Sequence, residues 1–170
     1  FESSKMSLKT ELVIFDWDGT LYNSVGQIVA SLQHAAEEHK LTLTDEAAKS
    51  IIGLGLPEVM QTLFPEVPDL HDSILKAYGD HYIANSTNDA WFEGISELLH
   101  DLKAQGLKLA VATGKNRRGL DRVIAKTQST HLFDVTRAAN ETRSKPDPLM
   151  LQEILTVTGV SVEQAVMIGD

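Results

Sequence analysis

Two acidic residues directly follow an apolar run near the start of the chain. Residues 12–15 are continuously apolar, Asp16, Trp17 and Asp18 come next, and Gly19 then lets the chain turn. A short apolar run that ends in turn residues predicts a buried strand of a parallel sheet. Ligands of such sheets bind beyond the carboxyl ends of the strands. Two carboxylates at that place therefore predict a site for a cation or a reacting group.

The same stretch has two simpler interpretations. A solvated turn after a strand also favours an Asp-Gly pair, and the stretch alone leaves turn and site evenly balanced. An EF-hand loop is excluded, because the third acidic position before its glycine is missing and no helix precedes it. The choice between a solvated turn and a binding site therefore depends on motifs elsewhere in the chain.

The composition is that of a folded, acidic chain. Its 170 residues are 42% hydrophobic, which is enough for one core, or for one core with a small inserted module. Lys and Arg total 15 against 24 Asp and Glu, and the net charge of −9 argues against nucleic acid or an anionic membrane as main partner. There is no cysteine, so thiolate chemistry is excluded. Without an apolar stretch of about 18 residues or a hydrophobic leader, we expect a cytoplasmic protein.

Between residues 24 and 88 the pattern predicts helices only. Apolar residues recur at helical spacing, Thr44 can cap the second helix and Pro57 suits the first position of the third. The predicted helices cover residues 25–40, 45–52, 57–64 and 69–84. This block predicts a small helical module, and the polar residues 85–89 predict a linker that leads out of it.

Strands alternate with helices in the remainder of the chain. Apolar runs predict strands at residues 107–112, 132–135 and 165–168, with helices between them. This alternation is typical of a Rossmann-like α/β fold, with a parallel sheet and right-handed crossovers. Three of the strands end in polar residues that would share one edge of the sheet. These are Asp16 and Asp18, then Thr113, Gly114 and Lys115, and finally Gly169 and Asp170.

The order of these motifs resembles the haloacid dehalogenase-like hydrolases, and within them the phosphoglycolate phosphatase-like branch. The motifs that carry the resemblance are Asp16–Thr20, Thr113–Gly114, Lys145–Pro148 and Gly169–Asp170. Together they cover residues 6–170. The resemblance implies a Rossmann-like core built from residues 6–23 and 89–170, with an inserted all-helical cap domain of residues 24–88.

The resemblance also implies a mechanism. Asp16 would be the nucleophile that forms an aspartyl phosphate, and Asp18 would be the general acid and base. Thr113 and Lys145 would complete the catalytic set by holding the phosphate and offsetting its charge. The residues expected to bind substrate are Trp17, Gly19, Thr20, Gly114 and Lys115.

A metal ion is part of the same expectation. The resemblance implies Mg²⁺ held by the carboxylate of Asp16, the backbone carbonyl of Asp18 and the carboxylate of Asp170. Such an oxygen-only set of ligands suits Mg²⁺. The metal and Lys145 would offset the repulsion between a carboxylate and a phosphate dianion.

The expected reaction is hydrolysis of a small phosphorylated metabolite, such as phosphoglycolate or a sugar phosphate. We expect a monomer or a weak homodimer, with no nucleic acid and no membrane as partner. Two alternatives stay open: a phosphomutase, whose cap shields the aspartyl phosphate from water, and a catalytically inactive, truncated fragment.

The chain departs from the family pattern at three places. Asn23 stands where this branch often has an acid, and Glu93 precedes Gly94 where proline is common. The family pattern continues past Asp170 into a further acid, a strand and helices. We therefore expect the C-terminal part of the core to be missing and residues 165–168 to form an uncovered edge that associates with another chain.

Overall fold

A parallel sheet is the centre of the fold. The computed structural model describes residues 9–86, 90–143, 145 and 147–169. Within them the strands are β1 Leu12–Phe15, β2 Lys108–Ala112, β3 Val135–Arg137 and β4 Ala165–Ile168. They lie in the order β3-β2-β1-β4, and every neighbouring pair is parallel. This is the α/β architecture that the sequence predicts.

The helices fall into two groups along the chain. The first group consists of α1 Val25–Glu38, α2 Asp45–Ser50, α3 Leu56–Leu63 and α4 His71–Asn85. The second consists of α5 Ile95–Ala104, α6 Arg117–Thr127 and α7 Leu149–Thr158. In the part of the chain that is described, no helix has the length and apolar character needed to cross a membrane.

Strand β1 is buried on both faces. Its side chains alternate, so that Val13 and Phe15 join one apolar cluster while Leu12 and Ile14 join another. Helices α5 and α6 cover the first face, and α7 covers the second. This two-sided burial explains why the strand is apolar without interruption.

The first group of helices packs around an apolar cluster of its own. Residues of α1, α3 and α4 fill its interior, among them Leu32, Met60 and Ile74. Residues 24–86 contain helices and turns but no extended strand. The exact limits of a cap domain at residues 24 and 88 stay a prediction, since residues 87–89 lie outside the described residues.

The two chain crossings between the sheet and the helical block run side by side. The Asn23 N–H donates to the Ala90 carbonyl at 2.8 Å, and the Phe92 N–H donates to the Leu21 carbonyl at 3.0 Å. The entry and exit of the block are thus tied together a few residues after Asp18.

Strand β3 begins later than predicted. The expected strand at residues 132–135 is wrong in its first part, because Leu132 lies in a 3₁₀ turn, Thr130–Leu132, and pairing with β2 starts only at Val135. The carboxylate of Asp134 accepts the Leu109 N–H at 2.9 Å just before the ladder begins. Leu132 is nevertheless buried. The apolar residue at this position therefore indicates burial and not a strand.

Strand β4 is an edge of the sheet within the described part of the chain. It pairs with β1 on one side, and its side chains Val166, Met167 and Ile168 are 42%, 39% and 41% exposed. Exposed apolar edges invite pairing with another chain. The expected association through this edge stays a prediction.

Two glycines inside helices of the first group offer a test of those helices. A Cβ added at Gly26 in α1 or at Gly79 in α4 meets no atom within 4 Å, and neither residue has a positive φ. Since alanine is the better helix former, Gly26→Ala and Gly79→Ala should each raise the free energy of unfolding by about 0.5–1 kcal/mol, as measured by urea denaturation.

Gly159→Ala is the control for these variants. Gly159 ends α7 with a φ of 71°, which strains an L side chain, so the same change should destabilise there. A loss of stability in Gly26→Ala would contradict the helical conformation of that part of α1.

Candidate active site

Asp16 lies where β1 ends, and this residue is only 5% exposed. The Lys145 ammonium lies 3.1 Å from Asp16 Oδ2, and the Trp17 N–H donates to Asp16 Oδ1 at 2.8 Å. Lys145 also donates to the Ala112 carbonyl at the end of β2, at 3.1 Å. The Asp16 N–H donates to the Ile168 carbonyl at the end of β4. The carboxylate is therefore fixed between three adjacent strand ends.

Burial raises the pKa of Asp16 above its ordinary value. The charge of Lys145, its hydrogen bond and the Trp17 N–H all lower this pKa, but together they do not outweigh the loss of water. The negative charge of Asp16 is thus only partly compensated by its protein neighbours. A further cation beside this carboxylate would stabilise it.

Asp18 is held by two side chains. The Ser24 hydroxyl donates to Asp18 Oδ1 at 2.5 Å, and the Lys115 ammonium lies 3.3 Å from Asp18 Oδ2. Ser24 is fully buried and was not predicted as a site residue. A serine just before a helix usually indicates an N-cap, but here the side chain makes no cap bond to α1 and serves Asp18 instead.

The turn after β2 brings Lys115 to Asp18. The buried Thr113 hydroxyl accepts the Lys115 N–H at 3.1 Å, and the Thr113 N–H donates to the Arg137 carbonyl at 3.1 Å. Helix α6 begins only after this turn, where the Asn116 side chain accepts the N–H of Gly119. The turn therefore folds back toward the end of β1.

Two glycines at the site have no room for a side chain. A Cβ on Gly114 would lie 2.4 Å from the Gly53 carbonyl oxygen and 2.6 Å from that of Leu54, both in the loop between α2 and α3. A Cβ on Gly169 would lie 2.9 Å from the Cβ of Asp16. The loop of the helical block thus rests on the turn after β2, and the end of β4 rests on Asp16.

The structure brings together most of the residues predicted from the sequence. The side chains or backbones that meet at the strand ends are those of Asp16, Asp18, Thr113, Gly114, Lys115, Lys145 and Gly169. Gly19 and Thr20 close the turn after Asp18 through backbone hydrogen bonds, and their role in substrate binding stays a prediction.

The predicted role of Trp17 needs correction. Its side chain is 0% exposed and packs against Trp91, Tyr22 and Phe133, with ring centroids 5.2, 5.6 and 6.1 Å away. A substrate cannot contact a side chain enclosed in this aromatic cluster. Trp17 contributes to the site through its backbone N–H, which donates to Asp16. Its side chain points into the core because side chains alternate along an extended chain, so that Trp17 and Asp16 face opposite sides.

The residues at the strand ends fit a hard divalent cation. The carboxylate of Asp16 offers oxygen donors, and its burial leaves its charge incompletely balanced. Asp170, the third predicted ligand, lies outside the described residues. Within the described ranges no three His, Asp or Glu side chains form a metal cluster.

The raised pKa of Asp16 predicts a pH-dependent cost of stability. Because the folded state holds the proton more tightly than the unfolded state, stability falls as pH rises through the interval between the two pKa values, and the cost is complete above it. Without divalent cations, Asp16→Asn should therefore be more stable than wild type at pH 7. The gain should shrink toward acid pH in urea unfolding with a chelator present.

Asp101→Asn is a matched control, since it removes an exposed carboxylate from α5. It should show no comparable gain that depends on pH. An Asp16→Asn protein that is less stable than wild type at pH 7 would show that the pairing with Lys145 outweighs burial.

Comparison with known protein families gives a match over nearly the whole chain. The model of the haloacid dehalogenase-like hydrolase family matches residues 13–170. The phosphoglycolate phosphatase of Rhodospirillum rubrum is 30% identical, and the alignment covers 93% of this chain and 70% of that enzyme. The pyrophosphatase PpaX of Bacillus cereus is 28% identical over 96% of this chain and 76% of its own length.

A solved structure shares the fold. A Bacteroides fragilis protein assigned to the haloacid dehalogenase-like hydrolases superimposes with a TM-score of 0.85 at 26% identity, covering 95% of this chain and 79% of that one. The comparisons confirm the family resemblance, the α/β fold class and the hydrolase class that the motifs predict.

Proposed function

The chain belongs to the haloacid dehalogenase-like hydrolase family, and on this premise we propose that it is a Mg²⁺-dependent phosphatase acting on a small phosphate monoester. One observation supports the proposal most directly. The buried carboxylate of Asp16 has the Lys145 ammonium at 3.1 Å, and Asp18 stands two residues further on at the same strand end. A fixed carboxylate beside a cation suits nucleophilic attack on a phosphate.

In the first half-reaction, an oxygen of Asp16 attacks phosphorus and the bond from phosphorus to the leaving oxygen breaks. Asp18, in its protonated form, gives its proton to the leaving oxygen, so the alcohol departs neutral and an aspartyl phosphate remains on Asp16. Lys145 offsets negative charge on the incoming phosphate and keeps the Asp16 carboxylate in place.

In the second half-reaction, water attacks the phosphorus of the aspartyl phosphate. Asp18 takes a proton from that water, the acyl phosphate bond breaks, and inorganic phosphate leaves Asp16 as a carboxylate. In the structure the Asp18 carboxylate accepts from the Ser24 hydroxyl and pairs with the Lys115 ammonium, and these two contacts fix its position for the proposed proton transfers.

In this proposal the metal would be held by the carboxylate of Asp16, the backbone carbonyl of Asp18 and the carboxylate of Asp170. When bound, the divalent cation would reduce the repulsion between Asp16 and the phosphate dianion. The choice of Mg²⁺ over other hard cations is part of the proposal.

The loop at residues 53–55 supports an enclosed reaction. Its carbonyl groups lie on Gly114, so the helical block covers the edge where the strands end. Excluding bulk water there would strengthen the electrostatic contribution of Lys145. We propose that residues 24–88 act as the cap of this site.

The decisive test is the release of phosphate from a panel of phosphorylated metabolites with Mg²⁺. Wild type should turn over at least one member, and Asp16→Asn should lower turnover by several orders of magnitude, since nucleophile and metal ligand are lost together. Asp101→Asn, the exposed control, should behave as wild type. Near-normal turnover in Asp16→Asn would refute the role of Asp16.

Asp18→Asn tests the acid and base step separately. It keeps the backbone carbonyl but loses proton transfer, so turnover should fall about 10² to 10⁴-fold for an ester with a poor leaving group. When phosphorylation of Asp16 limits the rate, p-nitrophenyl phosphate should lose less, because its leaving group needs little protonation. Equal losses for both esters under that condition would contradict the acid role.

Both alternatives have their own signatures. A phosphomutase would require a bisphosphate activator, and an inactive fragment would release no phosphate from any member of the panel. The expected partners are small phosphorylated metabolites. A cytoplasmic location and a monomeric or weakly dimeric state stay predictions from composition and from the edge strand.

A further inference from the structure

Basic side chains are concentrated on one face of α6 and the turn before it. Lys115, Arg118, Arg122 and Lys126 recur every three or four residues, the spacing that places helical neighbours on one face. The chain as a whole carries a net charge of −9, so this local excess of positive charge is opposite in sign to the net charge of the chain. The positive face begins at the turn that holds Asp18.

The ring of Tyr82, on α4 of the helical block, contacts two of these cations. The Lys115 ammonium lies 5.2 Å from the ring centroid and the Arg122 guanidinium carbon lies 5.6 Å from it. Tyr82 is only 5% exposed. One turn further along, the Lys126 ammonium donates to the Ser86 carbonyl at 2.6 Å. Three of the four basic residues, Lys115, Arg122 and Lys126, therefore contact the C-terminal part of α4 or the residue after it, while Arg118 is exposed.

The two cations on Tyr82 differ in their other partners. Lys115 pairs with the carboxylate of Asp18 at 3.3 Å. No carboxylate of a described residue lies within ion-pair distance of the half-buried Arg122. A cation–π contact is worth about 0.5–2 kcal/mol and uses none of the five N–H donors of a guanidinium. Within the described part of the chain, Arg122 thus combines a contact with Tyr82 and guanidinium donors that no carboxylate engages.

The direction of Arg122 points to the same site. Side chains of a helix lean toward its N-terminus, and α6 begins directly after the turn of Thr113 and Lys115. Arg122 and Lys115 contact the same aromatic ring, that of Tyr82. Because Lys115 also pairs with Asp18, this ring lies next to the site of the proposed reaction.

We propose that Arg122 binds a second anionic group of the substrate, a carboxylate or a phosphate other than the one that is hydrolysed, and that Tyr82 positions its guanidinium. The inference rests on the proposed phosphatase function and narrows it to phosphate monoesters with two anionic groups. A guanidinium suits this role, because its planar fork matches a carboxylate or a phosphate through two parallel hydrogen bonds.

Two esters that differ in one group provide the test. 3-Phosphoglycerate and glycerol 3-phosphate present the same kind of phosphate, but the first has a carboxylate where the second has a hydroxymethyl group. Wild type should prefer the first in kcat/KM. Arg122→Gln should reduce the ratio of the two kcat/KM values about tenfold or more, as expected for a lost hydrogen bond to a charged group.

Three further variants separate specificity from structure. Arg118→Gln removes the same charge from an exposed position of α6 and should leave the ratio near the wild-type value. Tyr82→Phe keeps the ring that faces Arg122 and should retain the preference, whereas Tyr82→Leu should weaken it. An equal loss for both esters in Arg122→Gln would overturn the inference, because Arg122 would then only join α4 to α6. The same change of ratio in Arg118→Gln would also overturn the inference, because the preference would then come from the overall positive charge of α6 and not from a contact with Arg122.

A binding measurement keeps this test independent of turnover. The dissociation constants of both compounds are measured by calorimetry with Mg²⁺ on Asp16→Asn and on Asp16→Asn/Arg122→Gln. The second protein should lose the preference for 3-phosphoglycerate, and an unchanged preference would overturn the inference. If wild type hydrolyses no ester of the panel, the phosphatase proposal fails, while the binding ratio still decides the role of Arg122.

Discussion

The structure depends on the burial of one carboxylate. Asp16 lies where the central strand ends, and the end of β4, the Lys145 ammonium and a backbone N–H enclose it. The loss of water around the carboxylate destabilises its charged form more than these neighbours stabilise it, so the pKa of Asp16 is raised. The burial of both apolar faces of β1 under helices stabilises the fold and offsets this cost. This loss of stability accompanies an Asp16 carboxylate that is held in one geometry, as its proposed role as nucleophile and metal ligand requires.

The sequence predicts those parts of the fold that local patterns encode. The central strand and the last strand are uninterrupted apolar runs, and the polar residues after them lie together because parallel strands end at a common edge. Asp16, Asp18 and Lys115 can therefore be grouped from the sequence alone, and the family resemblance adds Lys145 to them. The start of β3 could not, because Leu132 is buried in a turn, and burial and strand share one apolar signal.

Two residues that the sequence did not indicate, Ser24 and Tyr82, contact residues of the site. Ser24 looks like a helix cap and instead bonds Asp18, while Tyr82 has the character of an ordinary core aromatic and instead faces Lys115 and Arg122. The contacts of Tyr82 form only when the helical block packs beside α6, and no spacing along the chain encodes that placement. Trp17 shows the converse, since the residue between the two aspartates of the proposed site has a side chain buried in the core.

The aromatic cluster around Trp17 has a spectroscopic consequence. The chain contains 2 tryptophans, and their rings pack 5.2 Å apart beside the paired crossings that join the sheet to the helical block. Trp17 is wholly buried, and Trp91 also lies against Tyr22 at 6.0 Å. The intrinsic tryptophan emission of the protein therefore originates at this junction alone. An optical signal without any attached dye reports directly on movement of the helical block relative to the sheet.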